Sequence, residues 1–524
     1  MANYLVFLPE AVLVATALAS AVLGFAWGKK PARLWGLALG GIVLAMVLTF
    51  DLMGLRLLET LGVSIWRSPV GPDGDFAAEL RVRVDLFALF FHQIFLFVAF
   101  LAILGTRGFV REGEPHQGEY YALMLLAVVG MMFTAAATDL FVLFLAFETS
   151  SLSTFALVAF RKKDRQATEA AAKFFIIGAV SSAIILFGIS LVYGIAGSTD
   201  LAVLKTNLTL SSLGTFEAPL VVALVLLIAG FGFKVAVVPF HMWAPDVYQG
   251  APTTISVFLA AGSKKVGIVA MFRVFLIGLL AVQIDWVAVL AILAIATQTV
   301  GNVLAIPQRS VKRMLAYSSI AQAGYILIAL AVGAIALLAT DLSRSAAEQA
   351  LARDVAIAGM IGGVLHVLTH AAMKGGAFLV VAGTESQGIA DDMESYRGLG
   401  RRMPFMAISM TIFLLSLAGI PPLGGFFSKF ILFSSAVSAM PFNQWYLALA
   451  VSGVLNSALS LYYYARVIWY MYILEPEGDA VRIAVPRPIS AAVFVALAVV
   501  LLVTFLATFF YDFLAQAAAG FFGF

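Results

Sequence analysis

Residues 218–240 read APLVVALVLLIAGFGFKVAVVPF, an apolar stretch that contains a single charge, Lys234, and a break-forming proline, Pro239. An apolar run of this length is enough for a helix that spans a bilayer. Proline removes a backbone donor, so the stretch predicts a spanning helix that is interrupted close to a buried lysine. Non-helical backbone at membrane depth is tolerated only where it is buried in protein or faces a wet cavity. The stretch therefore predicts a membrane protein with a polar pathway in its interior.

The composition of the whole chain agrees with this prediction. Of its 524 residues, 62% are hydrophobic and 12% are charged, and the mean hydropathy is +1.01. A water-soluble enzyme carries about twice this charged fraction, and the strands of an outer-membrane barrel would alternate apolar and polar residues, so both classes are excluded. Because cysteine is absent, we expect no Cys-ligated iron–sulfur or zinc site on this chain and any redox chemistry on other subunits. The net charge of +3 gives no support for nucleic-acid binding.

Apolar windows of about 20 residues predict about fourteen spanning helices and an all-α polytopic fold. The predicted spans are Leu5–Trp27, Leu34–Met53, Val84–Leu104, Tyr120–Ala137, Leu140–Phe160, Ala170–Ala196, Ala218–Phe240, Thr253–Leu280, Trp286–Ile306, Val311–Leu338, Val355–Ala382, Pro404–Phe433, Gln444–Met471 and Ile489–Phe513. We expect four parts: three N-terminal helices in residues 1–118, two related halves in 119–282 and 283–473, and a C-terminal helix in 474–524.

Basic residues in the loops predict the orientation of the chain. Lys29, Lys30 and Arg33 follow the first span, and further basic clusters at 161–163, 309–313 and 401–402 fall on the same side when the spans alternate. Because cytoplasmic loops carry the excess of lysine and arginine, we expect this side to be cytoplasmic and both termini to lie outside. No basic segment precedes the first apolar run, so a cleaved signal peptide is not expected.

Two features indicate that the halves are related. The sequence ETSSL at 148–152 is echoed by AYSSI at 316–320. The seventh and twelfth predicted spans each carry a lysine, Lys234 and Lys429, together with a proline break. Inverted repeats with broken helices are typical of transporters, although serine pairs by themselves are common in membrane helices.

Several ionisable residues fall within or beside the predicted spans, where a lysine or aspartate costs about 2.5–3.5 kcal/mol at the bilayer centre and by default marks an ion or proton pathway. They are Glu148, Lys173, Lys234, His241, Lys264, Lys265, Arg273, His366, His370, Lys374 and Lys429.

A structural role competes with the functional one at some of these lysines. Lys173 is near the inner end of its span and could extend its amine to the interface. Adjacent Lys264 and Lys265 point about 100° apart on a helix and can hardly line one cavity together. We therefore interpret Lys265 and Arg273 as structural.

The histidines and the mid-span charges favour proton transfer. His366 and His370 are spaced as metal or haem ligands can be, but without companion ligands a hydrogen-bonded or proton-relaying pair is favoured. Glu148, Lys234 and Lys429 lie among apolar neighbours in mid-span. A buried carboxylate and lysine whose separation or hydration changes are sufficient for a proton switch.

Residues 231–253, FGFKVAVVPFHMWAPDVYQGAPT, resemble the antiporter-like membrane subunits of respiratory complex I. Within that group, PDVYQGAP at 245–252 resembles subunit N, the relative of mitochondrial NADH dehydrogenase subunit 2. Three further stretches are similar in the same order: FE at 147–148 with the serines after it, KRMLAYSSI at 312–320, and SLAGIPP at 416–422. The resemblance covers approximately residues 120–470 and implies two inverted five-helix units that contain broken helices.

The resemblance also implies roles for individual residues. Proton transfer is implied for Glu148 in the fifth helix, Lys234 in the broken seventh, Lys264 in the eighth and Lys429 in the twelfth, with His241, His370 and Lys374 as further relay residues. The His-x-x-x-Lys spacing at 370–374 departs from many subunit N sequences and resembles subunits L and M and Mrp-type antiporters. A subunit of an Mrp-type Na⁺/H⁺ antiporter or of a membrane-bound hydrogenase is therefore the alternative. A passive helix scaffold is disfavoured by the mid-span charges.

The resemblance further implies the setting of the chain. No cofactor or metal is expected on it, and neither a dinucleotide fingerprint nor a Walker A motif is present. The complex would use NADH or another reduced donor, FMN, iron–sulfur clusters and quinone on other subunits. The implied partners are the antiporter-like M and L homologues, the small K and J homologues and, indirectly, the peripheral redox arm. The implied location is the bacterial inner (plasma) membrane.

Overall fold

The computed structural model describes residues 4–27, 30–55, 70, 75–77, 80–109, 116–208, 216–476 and 481–524, so Lys29 of the first basic cluster lies outside the described residues. The helices are α1 (Leu8–Trp27), α2 (Pro31–Phe50), α3 (Leu86–Phe109), α4 (Gln117–Ala136), α5 (Leu140–Val158), α6 (Arg165–Ala196), α7 (Leu201–Asn207), α8 (Glu217–Val235), α9 (Trp243–Gly250), α10 (Thr253–Gly278), α11 (Gln283–Ala305), α12 (Val311–Gly333), α13 (Ala346–Glu385), α14 (Leu399–Arg402), α15 (Pro404–Ala418), α16 (Gly424–Ser438), α17 (Trp445–Tyr472), α18 (Arg487–Phe505) and α19 (Ala507–Phe522). Two short strands, β1 (Asp75–Ala77) and β2 (Val82–Val84), pair antiparallel.

The predicted all-α membrane fold is confirmed. Within the described ranges, 13 helices are long and apolar enough to cross a membrane. The twelfth predicted span is divided into α15 and α16, each of 15 residues. Every predicted span therefore contains a helix, and the division falls where the sequence places two prolines. The division of the chain into four parts stays a prediction.

Side-chain caps determine where several helices begin. The Asp139 carboxylate accepts hydrogen bonds from the first backbone N–H groups of α5, and Asp164 does the same for α6. Ser345 and Glu348 form a reciprocal capping box at the start of α13. These caps satisfy backbone donors that a helix leaves without partners, so the ends of long apolar helices are placed by single polar residues.

Two helix pairs approach to backbone contact, one pair in each half. A Cβ added to Gly130 of α4 would lie 2.6 Å from the carbonyl oxygen of Ala146 on α5. A Cβ added to Gly324 of α12 would lie 2.7 Å from the backbone nitrogen of Gln298 on α11. Small residues permit such close approach in membrane bundles. The two serine pairs noted in the sequence are thus carried on tightly packed hairpins.

The two helix breaks are similar in form. α8 ends where Ala236 adopts a positive φ of 57°, and α15 ends where Gly419 has a φ of 87°. Each break is followed by proline, Pro239 in the first half and Pro421-Pro422 in the second. Because four spans separate α8 from α15, the two broken helices run through the bundle in opposite directions, as an inverted repeat requires.

The centre of the bundle is α10, whose most apolar window is 100% buried within the chain. Its Arg273 makes two hydrogen bonds of 2.8 Å to Asp85, the residue before α3, and a third of 2.8 Å to the Ala135 carbonyl of α4. The rings of Phe87 and Phe521 lie 5.1 and 5.3 Å from the guanidinium. The structural role predicted for Arg273 fits this site, which ties α3, α4 and α10 together.

Removal of Asp85 is expected to leave the buried Arg273 guanidinium without a counter-ion. We expect Asp85→Ala to lower the free energy of unfolding by about 3–5 kcal/mol, because the buried guanidinium loses its counter-ion. Asp85 also accepts a hydrogen bond from the Ala88 N–H at the start of α3. Asp164→Ala is therefore the matched control, since it too removes a helix cap but leaves no buried cation, and it should cost about 1 kcal/mol. Thermal unfolding in detergent measures both; equal shifts for the two variants would contradict the prediction.

Candidate functional site

Lys234 lies in the last turn of α8, immediately before the helix break. Its side chain is buried, and its Nζ donates a hydrogen bond of 3.0 Å to Ser151 Oγ on α5. The rings of Phe147, Phe155 and Phe174 lie 5.5–5.9 Å from the ammonium. The amine is thus held by one hydroxyl inside an aromatic pocket, where cation–π attraction offsets part of its lost hydration.

Glu148 lies on α5, one turn before Ser151, and is half-buried. Its Oε1 accepts a hydrogen bond of 2.7 Å from Ser182 Oγ on α6. Among the described residues, no carboxylate lies within the 4.0 Å ion-pair distance of Lys234. The structure therefore places Lys234 against α5 one turn from Glu148 but holds each partner on its own serine, so the two groups make no direct contact.

Lys264 lies on α10 and reaches into the second half. Its Nζ donates to the Ser319 carbonyl at 2.9 Å, with Ser319 Oγ at 3.4 Å. Lys374 of α13 approaches the same serine pair of α12 and donates to Ser318 Oγ at 2.7 Å and to the Leu315 carbonyl at 3.2 Å. The serine pair that echoes the first half thus separates Lys264 from Lys374.

Lys265, which the sequence led us to interpret as structural, contacts a relay candidate. Its Nζ lies 2.6 Å from His370 Nδ1 on α13 and donates to the Ala260 carbonyl at 2.6 Å. Lys264 and Lys265 do point in different directions, as expected, but both reach polar groups because other helices enclose α10 on every side. The interpretation of Lys265 as purely structural therefore overlooked its contact with a relay candidate. The sequence feature that could have identified Lys265 as a relay candidate is the pair of adjacent lysines in one apolar span.

His366 extends the polar groups toward α16. Its Nε2 lies 2.9 Å from the Gln322 side-chain oxygen, and its Nδ1 lies 3.0 Å from Ser428 Oγ. Because the amide oxygen only accepts, Nε2 carries a proton and donates it to Gln322. The rings of His366 and His370 are 6.3 Å apart. The two histidines therefore form a step between Lys265 and the residue that precedes Lys429.

Lys429 lies on α16, just after the second break. Its Nζ donates to the Leu417 carbonyl at 2.7 Å and to Ser457 Oγ at 2.8 Å, and it lies 4.5 Å from the Tyr325 ring centroid. Leu417 is in the last turn of α15, so the break supplies the acceptor. Lys429 also lines a cavity of about 680 Å³ beside the exposed side chain of Phe430.

His241 lies between the broken helix ends, in the turn from α8 to α9. Its side chain is half-buried, and its Nδ1 has no hydrogen-bond partner among the described residues. The structure places it beside the break but gives it no direct bond to another relay candidate.

Ion pairs at the predicted cytoplasmic end join the two halves. Asp246 of α9 accepts hydrogen bonds from Lys173 at 2.8 Å and from Arg313 at 2.7 Å. The half-exposed Lys173 thus pairs with Asp246, and a structural role for Lys173 agrees with this contact.

The Asp391 carboxyl lies at the same end of the bundle. Burial raises the pKa of this carboxyl, while its hydrogen bonds from Ser310 Oγ and from the Lys312 backbone N–H act in the opposite direction.

Together these contacts form a row of protonatable groups across the bundle, which we call the polar axis. It consists of Glu148, Lys234, Lys264, Lys265, His370, Lys374, His366 and Lys429. Most members are held by a hydroxyl or carbonyl group, whereas His370 contacts Lys265 and its Nε2 has no hydrogen-bond partner among the described residues. Such a row can carry protons laterally, in steps whose gaps require water or side-chain movement.

Comparison with known proteins agrees with this geometry. The family described as NADH:quinone oxidoreductase/Mrp antiporter, TM matches residues 137–342 and 350–458. A protein named F(420)H(2) dehydrogenase subunit N from Methanosarcina mazei is 43% identical over 523 residues and covers 97% of each chain. A protein named NADH-quinone oxidoreductase subunit N from Trichlorobacter lovleyi is 37% identical and covers 98% of this chain and 97% of the relative.

A solved structure extends the likeness to the fold. A chain of respiratory complex I from Thermus thermophilus with bound aureothin is 30% identical, with a TM-score of 0.72 over 96% of this chain and 98% of that chain. The resemblance inferred from the sequence motifs is confirmed. The chain therefore belongs to the family of NADH:quinone oxidoreductase and Mrp antiporter transmembrane subunits.

Proposed function

We propose that this chain is the proton-translocating membrane subunit, of the subunit N type, in a redox-driven quinone oxidoreductase. The observation that carries the proposal is the polar axis, in which buried lysines and histidines extend from α8 to α16 beside Glu148 of α5. A chain this apolar has no packing requirement for them. The relatives' names, NADH-quinone oxidoreductase and F(420)H(2) dehydrogenase subunit N, support the same reading.

The proposed mechanism uses the two breaks and the serines between the charges. Proton arrival at Glu148 weakens its attraction for the Lys234 ammonium, which frees Lys234 to pass a proton onward. Lys264 and Lys374 exchange protons across Ser318 and Ser319, and the pair of Lys265 and His370 provides a further step on the same route. Lys429 receives the proton beside the second break. We propose that Glu148, Lys234, Lys264 and Lys429 transfer protons and that His241, His370 and Lys374 relay them.

We also propose the setting that the family implies. Electron transfer would occur on other subunits with NADH or another reduced donor, FMN, iron–sulfur clusters and quinone, and this chain would carry no redox centre. Its neighbours would be the M, L, K and J homologues. The bias of basic residues supports a bacterial inner-membrane location with both termini outside.

A subunit of an Mrp-type Na⁺/H⁺ antiporter is the second candidate, because His370 and Lys374, whose spacing resembles that of Mrp-type antiporters, both belong to the polar axis. Purification of the native complex separates the two: flavin and iron–sulfur subunits copurify under the first proposal and are absent under the second.

Lys234→Ala is expected to reduce coupled proton pumping about tenfold or more, because a positioned proton-transfer group contributes at least this factor. The complex should still assemble, since Glu148 is held by Ser182 rather than by the lysine. Pumping is measured in membrane vesicles, with exposed Lys205→Ala as control. Equal pumping by the two variants at normal assembly would rule out a role for Lys234.

Glu148→Gln is expected to reduce pumping about as strongly, since the amide still accepts from Ser182 but does not titrate. Glu148→Asp should be milder, because it keeps the acid on a shorter arm. Glu169→Gln is the control, since its carboxylate is exposed and pairs with Lys173. The idea fails if the glutamine variant pumps like wild type.

His370→Ala and Lys374→Ala should each slow pumping more than exposed Lys162→Ala does. The double variant should lose less than the product of the single losses, because both residues lie on one route. Pumping rates in reconstituted vesicles test this prediction. If both single variants pump at the rate of the control, His370 and Lys374 have a structural role and do not relay protons.

A further inference from the structure

The N-terminal helices contain a buried acid–base pair outside the segments that match the family. Glu10 on α1 and His92 on α3 are 3% and 1% exposed, and the family match begins at residue 137. A carboxylate and an imidazole both withdrawn from solvent are costly unless they share protons or hydrogen bonds. The polar axis makes no use of them.

The hydrogen bonds of His92 define where a proton must lie. Its Nε2 lies 2.9 Å from the Met132 carbonyl of α4, and its Nδ1 lies 3.3 Å from Glu10 Oε1. A carbonyl only accepts, so Nε2 carries a hydrogen and Nδ1 is the site that titrates. Without a proton between Nδ1 and Oε1, two lone pairs would face each other. One proton therefore belongs to the pair, either on the acid or on the imidazole.

The second carboxyl oxygen of Glu10 is available for proton exchange. Glu10 Oε2 is buried and has no hydrogen-bond partner among the described residues, and neither has Oε1 of the adjacent Gln93. Buried polar atoms without partners are rare and indicate an unrecorded water or ion. The free acceptor on Glu10 suits exchange with a proton carrier such as water.

The surrounding charges do not neutralise this site by direct contact. Asp85 and Arg273, the charged groups whose fields reach His92, are bonded to each other. Asp51 lies at the same end of the bundle, at the end of α2, and Gln93 is held by the Met46 carbonyl of that helix. α4 faces His92 with the Met132 carbonyl, and the next turn of α4 binds Arg273 of α10, the helix that carries Lys264.

We propose that Glu10 and His92 form a proton-binding site that exchanges one proton with the aqueous phase at the end of the bundle where α1 and α3 begin. When the proton leaves for water, the pair changes from net neutral to a single negative charge. The last turn of α4 transmits this change to Arg273 and α10. The pumping consequence rests on the proposed function, whereas the existence of the site does not.

Infrared difference spectroscopy on the complete membrane complex tests the site directly. A carboxylic acid that shares a proton gives a C=O band that shifts in D₂O and changes as the pH is titrated. We expect Glu10→Gln to remove one such band and to lower pumping. An unchanged infrared titration in Glu10→Gln would overturn the proposal.

Two further variants make the result decisive. Glu119→Gln is the matched control, because it removes the acid of an exposed pair in which His116 and Glu119 are 3.1 Å apart; it should not lower pumping. If Glu10→Gln does not assemble, His92→Gln keeps a donor for the Met132 carbonyl and should shift the Glu10 band, and an unshifted band would overturn the proposal. Failure of the proposed function would instead appear as normal pumping by Lys234→Ala with the Glu10 band intact.

Discussion

A lysine ammonium inside a membrane protein needs acceptors, and this need shapes the centre of the molecule. α10 is wholly enclosed, yet it carries Lys264, Lys265 and Arg273. Arg273 meets a carboxylate, but both lysines depend on hydroxyl, imidazole and carbonyl groups of other helices. Cations held by neutral acceptors keep a proton less firmly than cations in ion pairs, which is the property that a conduction path requires.

Helix breaks provide some of these acceptors. A regular helix commits one lone pair of each carbonyl to its own N–H groups, so only the second lone pair remains for a side chain in mid-membrane. The end of α15 frees the Leu417 carbonyl, and Lys429 uses it directly. The end of α8 is used differently: the Phe233 carbonyl accepts from Trp243, while Lys234 turns to Ser151 on α5. The two halves thus share a broken helix, but Lys234 and Lys429 use different hydrogen-bond acceptors.

The ion pairs at the predicted cytoplasmic end and the Asp85–Arg273 pair at the other end enclose the polar axis between them. Asp246 joins α6, α9 and α12, and Arg273 joins α3, α4 and α10. Charged groups with direct counter-ions thus hold the ends of the helices, while those without them occupy the middle. This separation allows protonation to change in the interior without loosening the ends.

The sequence by itself determined the membrane class, the spans and the residues worth examining, because each rests on local composition: apolar runs long enough for a bilayer, prolines that break helices, and charges that are costly in apolar surroundings. Glu148, Lys234 and Lys429 stand out on that ground alone. Tertiary structure decided which groups touch, since helix packing brings together residues far apart in the chain. Only packing could place Lys265 against His370, hold Glu148 and Lys234 on separate serines, and bring Glu10 to His92, because one-dimensional spacing gives the direction of a side chain on its own helix but not the helix that it meets.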